Sequence, residues 1–135
     1  MTERKGKAIF LNGTSSSGKT TIASALQQTL AEPYLHLSVD AFLHQCPEAV
    51  LRDDQRLCQE LPFLLAGFNS SCAAIVRAGN NIIVDHVLQE PSWLLPCVTL
   101  YQGLEVVFIA VRCSLEEVDR REKMRADRRA GMARY

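Results

Sequence analysis

The stretch from Gly13 to Thr20 reads Gly-Thr-Ser-Ser-Ser-Gly-Lys-Thr, and no other part of the chain so narrows what it can fold into. It fits G-x-x-x-x-G-K-S/T, the phosphate loop, which functions between a buried strand and a helix. Both flanks are in place. Ala8 to Leu11 is a short apolar run suited to a parallel strand, and Ile22, Ala25, Leu26 and Leu30 recur at helical spacing until Pro33 stops the pattern. Glycines 13 and 18 let the backbone turn tightly, so that the amides of Gly13, Thr14, Ser15, Ser16, Ser17, Gly18, Lys19, Thr20 and Thr21 can cradle a polyphosphate at the positive end of the helix. Lys19 offers a mobile cation for the outer phosphates, and Thr20 a hydroxyl oxygen for Mg²⁺. A Gly/Ser-rich turn with a solvated Lys19 is the bland alternative, which the flanking strand and helix disfavour.

A second pattern supports the first. Asn81 to Asp85 places three apolar residues before an aspartate. On a buried strand this would bring Asp85 out beside the phosphate loop as a Mg²⁺ ligand, or as a partner of the ion's water shell. His86 follows, and reads as a hydrogen-bonded neighbour rather than a catalyst. Tyr34 to Val39 is a further candidate strand with Asp40 at its end. A carboxylate there can face a ligand, because open α/β sheets bind at the carboxyl ends of their strands; it can equally cap a helix beginning at Ala41. Residues 44 to 62 read as a polar connection with a short helix around Glu48 to Glu60, followed by a helix from Phe63 to Ala78 closed by Gly79. Pro91 and Pro96 suggest a turn at 91 to 95 and a short helix opened by Pro96. Trp93 there reads as a packing residue or as a ring that stacks on substrate. Glu105 to Val111 gives the clearest buried strand of the chain.

From Ser114 the character changes. Ser114 and Glu117 form a capping box, and a helix over 114–131 would set Arg121, Arg125 and Arg128 on one edge at i, i+4 and i+7. Three readings compete: a solvated helix of Glu/Arg pairs, a basic nucleic-acid-binding helix, or a lid whose arginines close on a transferring phosphate. The formal net charge of zero argues against nucleic acid, and the phosphate loop favours the lid.

The 135 residues fit one domain, 1–135, and 47% hydrophobic content supports a real core. Five cysteines, odd in number and without a C-x-x-C pair, read as reduced thiols in or near the core. With no apolar leader and no run of transmembrane length, a cytoplasmic protein without membrane partners is expected.

These stretches together resemble the chloramphenicol phosphotransferase-like branch of P-loop kinases. The likeness is carried by Phe10 to Thr20, Ser38-Val39-Asp40, Ile82 to Val87, Val111-Arg112-Cys113, Arg121-Glu122 and Arg125 to Met132. The resemblance implies an α/β P-loop NTPase fold with helices on both faces of a parallel sheet, and transfer of the ATP γ-phosphoryl group to a hydroxyl of a small molecule. In its family order 2-3-1-4-5 the sheet would show about four strands here, the fifth missing. By the same likeness Asp40 is the base for the acceptor hydroxyl, Lys19 and Thr20 hold phosphate and Mg²⁺, Asp85 stands near the metal, and Arg121, Arg125 and Arg128 belong to the lid. An uncovered fourth strand would invite self-association. A nucleoside or nucleotide kinase, or a non-catalytic ATP-binding module or switch, remains as the alternative.

Overall fold

The computed structural model describes residues 3–125. Four strands, β1 (Lys7–Asn12), β2 (Tyr34–Ser38), β3 (Asn81–His86) and β4 (Glu105–Ala110), form one sheet in the order β2-β3-β1-β4, with every pairing parallel. The expected order of the first four strands is therefore found.

Parallel strands need crossovers, and here these are helices on both faces. On one face Ala8, Phe10, Ile82 and Val84 meet Phe68, Cys72, Ala73 and Val76 of α4 (Asp54–Arg77), with Cys97 of α5 (Pro91–Leu100) and Tyr101 just beyond it. On the other, Leu11 and Ile83 close over Ala23 of α1 (Lys19–Thr29). The alternation along β1 and β3 thus divides each strand between two cores. This explains why both read as unbroken apolar runs.

Several local expectations are corrected. The apolar face of α1 is Ala23 with Leu26, while Ile22 turns toward solvent. β2 stops at Ser38, and Val39 opens α2 (Val39–Leu43), so Asp40 lies in the first turn of a helix rather than at a strand tip. The cap is Ser38, whose Oγ accepts from the Ala41 amide at 3.4 Å, and the capping role proposed for Asp40 falls away.

The segment read as a polar connector contains α3 (Glu48–Leu51) and then the start of α4, which runs 24 residues straight through Pro62. A proline inside a helix leaves the carbonyl four residues back without its donor. That carbonyl belongs to Cys58, and both Cys58 and Pro62 are exposed, so water can complete it. The Asp53 side chain caps α4 by accepting from the Arg56 amide at 3.0 Å. Likewise α5 begins at Pro91, where a missing N–H costs nothing, and absorbs Pro96.

The largest correction concerns β4. Its apolar run marks not the most buried strand but an edge, with Val107 56% exposed and Ile109 40%. Among the described residues no strand pairs with its outer side. Finally, α6 (Leu115–Lys123) is the described part of the expected lid helix, and Arg128 lies outside the described residues.

Candidate active site

The phosphate loop bridges the end of β1 and the start of α1, and its two glycines are there for different reasons. A Cβ on Gly13 would stand 2.5 Å from the Val111 carbonyl oxygen and 2.8 Å from Ser17 Oγ, so the approach of the strand end to the loop needs glycine. Gly18, the residue before α1, sits at φ +100°, a left-handed conformation that side chains resist. Ser16 also takes positive φ, +62°. Ser15, Ser17 and Lys19 are buried, and Ser17 Oγ has no hydrogen-bond partner in the structure.

Lys19 is folded back on its own loop, Nζ donating to the Thr14 carbonyl oxygen at 2.8 Å and standing 4.0 Å from Asp85 Oδ1. Thr20 Oγ1 donates to Asp85 Oδ2 at 2.8 Å. The parallel register delivers Asp85 to this place, aligning it with Leu11, one step from the end of β1, and with Ser38, the last residue of β2. Sequence reasoning passed over a third contact: His36 Nε2 lies 3.3 Å from the same Oδ2, so Asp85 is held from both sides. No spacing rule marked His36; only the pairing of β2 with β3 reveals it.

Above the loop stands α6. Arg121 Nη1 donates to the Ser16 carbonyl oxygen at 3.3 Å and Arg125 Nη1 to Ser16 Oγ at 3.2 Å, so two of the three expected lid arginines reach the phosphate loop. Glu117 aims Arg121, accepting from its Nε at 2.8 Å while also pairing with Arg120. Hydrogen bonds from Arg120 first and Arg121 second hold the Glu117 carboxyl down at about 2. The capping box is only half formed: Ser114 Oγ accepts from the Glu117 amide at 3.2 Å, but the Glu117 side chain is committed to arginines.

Loop, metal-side pair and arginines line one cavity of about 570 Å³ that also includes Asp40, Thr21 and Ile22. The residue set fits a nucleotide with Mg²⁺. The loop offers amides and a buried unpartnered hydroxyl, and Thr20 with Asp85 supplies two oxygen donors. Among the described residues no group of three or more His, Cys, Asp or Glu could hold a metal unaided. A hydroxyl and a single carboxylate suit Mg²⁺, which keeps much of its water and takes other ligands from substrate phosphates.

His86 corrects another expectation. Instead of a hydrogen-bonded neighbour, it is a fully buried ring between Phe10 (centroids 5.7 Å) and Phe68 (5.6 Å). Neither nitrogen meets a partner at hydrogen-bond geometry. Burial is the main force pushing its pKa down to about 4, which the backbone at Val87 only partly opposes. The unfolded chain takes up this proton near 6.5 and the folded chain only near 4, so the unfolded state binds more protons between those values. Stability should accordingly fall as pH drops from about 6.5 to about 4, by about 3 kcal/mol from this group. Urea midpoints measured over that range should show the slope in the native chain and its loss in His86→Leu; equal slopes would remove His86 as the cause.

A phosphate loop at the head of the central strand of a parallel sheet, with an acidic residue on the adjacent strand and arginines closing from above, defines a P-loop phosphotransferase. The comparisons narrow this. A family model described as chloramphenicol phosphotransferase-like protein matches residues 6–135, and the chain belongs to that family. Proteins of two Mycobacterium tuberculosis strains, each named as a proposed O-phosphotransferase, are 33% identical over 153 residues, spanning 96% of this chain and 68% of their own length. The fold is similar to the Mycobacterium tuberculosis APS kinase CysC solved with AMPPNP and APS, at TM-score 0.72 and 15% identity over 88% of this chain and 69% of that one. It is also similar to a gluconokinase of Sinorhizobium meliloti 1021, at TM-score 0.62 and 17% identity over 93% and 68%.

Proposed function

We propose that this chain is an ATP-dependent, Mg²⁺-requiring kinase of a small hydroxyl-bearing molecule. The observation that carries the reading is the meeting, in one cavity, of the phosphate loop, the Thr20–Asp85 pair, two arginines and Asp40. Lys19 would leave the Thr14 carbonyl for the outer phosphates. Arg121 and Arg125, joined by Arg128 in the full segment, would neutralise charge spreading over the γ-phosphoryl oxygens. Mg²⁺, held by Thr20 and Asp85, would supply further neutralisation between the outer phosphates. Asp40 would take the proton of the acceptor hydroxyl as its oxygen bonds to the γ-phosphorus and the bond to the β–γ bridging oxygen breaks, releasing ADP.

The test is incubation with γ-labelled ATP, Mg²⁺ and a mixed set of hydroxylated metabolites and antibiotics. A labelled small product is expected. Label released only as inorganic phosphate, at a rate no acceptor changes, would favour a nucleotide-driven switch; label found only on added nucleosides or nucleotides would favour the nucleoside-kinase reading.

The setting we assign is a reducing, cytoplasmic one, supported by five free cysteines, of which Cys72 and Cys97 are buried. No helix among the described residues is long and apolar enough to cross a membrane. We also propose self-association through the outer edge of β4, supported by the exposed Val107, Phe108 and Ile109. Light scattering should show mass rising with concentration, and Val107→Lys should lower it. A concentration-independent monomer would end that proposal.

A further inference from the structure

Three side chains meet the Asp85 carboxylate, and only two of them belong to the phosphate-loop motif. Thr20 Oγ1 donates to Oδ2 at 2.8 Å, and Lys19 Nζ stands 4.0 Å from Oδ1. The third, His36, comes from β2, with Nε2 3.3 Å from Oδ2. The loop pattern does not specify it.

The sheet explains the contact. His36 pairs with Ile83, so Asp85 lies two residues further along β3 and on the same face. That is the diagonal relation across neighbouring strands, which a side chain as long as histidine can span. The face is the one that α1 covers, since Ile83 packs on Ala23, and α1 also carries Thr20 to the carboxylate. The His36 side chain is 19% exposed and that of Asp85 only 7%, so the two meet largely out of water, where a hydrogen bond holds more firmly. An ionised carboxylate only accepts, which puts the hydrogen of this contact on Nε2; a neutral imidazole is sufficient for it.

The contact sets the rotation of the carboxylate. Oδ2 is turned to Thr20 and His36, and Oδ1 is left on the side of Lys19. Remove His36, and Thr20 must hold that rotation against the pull of the Lys19 ammonium. A closer Asp85–Lys19 pair would withdraw from the site both a carboxylate suited to a cation and a cation suited to phosphate. Thr20 would be affected as well, because its oxygen can offer lone pairs elsewhere only while its hydrogen stays on Oδ2.

We infer that His36 is a positioning residue for the divalent cation that accompanies the nucleotide: it fixes the Asp85 carboxylate, and through it the Thr20 hydroxyl, in the orientation that receives the ion. The inference rests on the proposed Mg²⁺–ATP chemistry and goes beyond it in giving the cation a supporting residue from outside the phosphate loop. Groups hydrogen-bonded behind a ligating carboxylate set metal affinity by about 10- to 100-fold. With one hydroxyl and one carboxylate as its protein donors, this site should feel the loss of either one's alignment.

The test reads the cation without turnover. Affinity of the whole chain for the β,γ-imido analogue of ATP is measured by calorimetry, once with Mg²⁺ and once with EDTA. By linkage, the ratio of the two affinities is also the factor by which nucleotide strengthens the cation's binding. The native ratio should lie well above one. His36→Leu, which keeps most of the bulk and removes the donor, should lower it about tenfold, and His36→Val, a strand-forming companion, should do the same. His36→Gln, whose amide N–H can take the place of Nε2, should bring it back to within about threefold of native. In labelled transfer, His36→Leu should need about tenfold more Mg²⁺ for half its maximal rate, while kcat at saturating Mg²⁺ stays within about threefold of native. A histidine that only packed β2 on β3 would lower the melting temperature and leave the Mg²⁺ requirement unchanged. A native ratio near one, an undiminished ratio in the Leu or Val variant, or an equal fall in His36→Leu and His36→Gln would overturn the inference. The two ideas fail separately. The expected fall in the ratio with no label on any alcohol would sink the phosphotransferase reading alone, and transfer whose Mg²⁺ requirement ignores His36 would sink this assignment alone.

Discussion

Lys19→Met is expected to abolish phosphoryl transfer to within about a thousandth of the native rate while leaving the fold intact. The Lys19 side chain is almost fully buried, so its stem is part of the packing of the loop. Methionine keeps that stem and removes only the charge. In the structure the ammonium donates to the Thr14 carbonyl oxygen of its own loop and stands 4.0 Å from Asp85, contacts made at the site rather than within the apolar core. Its value must therefore lie with what displaces it. A cation aimed where charge develops in a water-poor site accounts for about 10²- to 10³-fold in rate when removed alone, and loss of the nucleotide's alignment adds to that. Lys19→Arg should fail nearly as badly. A planar guanidinium cannot take the place of a compact ammonium set between the Thr14 carbonyl oxygen and Asp85. The measurement is labelled transfer at saturating ATP beside a thermal melt. A melt near the native one with transfer lost identifies a chemical role; retention of more than a tenth of native transfer by Lys19→Met would mean that the loop does not hold the outer phosphates.

How much of this could be read from the chain depended on how local the cause was. The phosphate loop was legible because its requirements are backbone requirements: Gly13 avoids a clash and Gly18 a strained φ, and both leave a fixed trace in sequence. Asp85 was legible because a strand buried on both faces forces a recognisable apolar run before it. The resemblance extended this to Asp40 and the arginines, and the structure brings Asp40, Arg121 and Arg125 to the loop's cavity.

What escaped had non-local causes. His36 touches Asp85 only because β2 docks on β3 in one particular register. The prolines misled in the other direction. Pro62 was read as the end of a connection and Pro96 as the start of a helix, but both lie inside longer helices, where tertiary packing of α4 and α5 against the sheet outweighs about 3 kcal/mol per proline when the freed carbonyl faces water. β4 shows the same lesson for burial: composition made it a core strand, while its place at the sheet edge exposes it.

Asp40→Asn is expected to lower kcat by about 10²- to 10⁴-fold with ATP affinity unchanged, the range that general-base catalysis commands. Three features make asparagine the informative replacement. It keeps the size and polarity of the side chain, so the cavity wall is preserved. It cannot accept a proton in the working pH range. And since Ser38 already caps α2, it should disturb stability by no more than about 0.5 kcal/mol. A residue that merely shaped the cavity would instead raise KM for the acceptor and leave kcat almost unchanged. A sharper discrimination comes from the acceptor itself. A base matters less as the hydroxyl becomes more acidic, so the deficit of Asp40→Asn should shrink across a series of alcohols of falling pKa, by about tenfold or more between ordinary and fluorinated members. A deficit that stayed constant along the series would show that Asp40 never carries the proton, and would move the residue from chemistry to alignment.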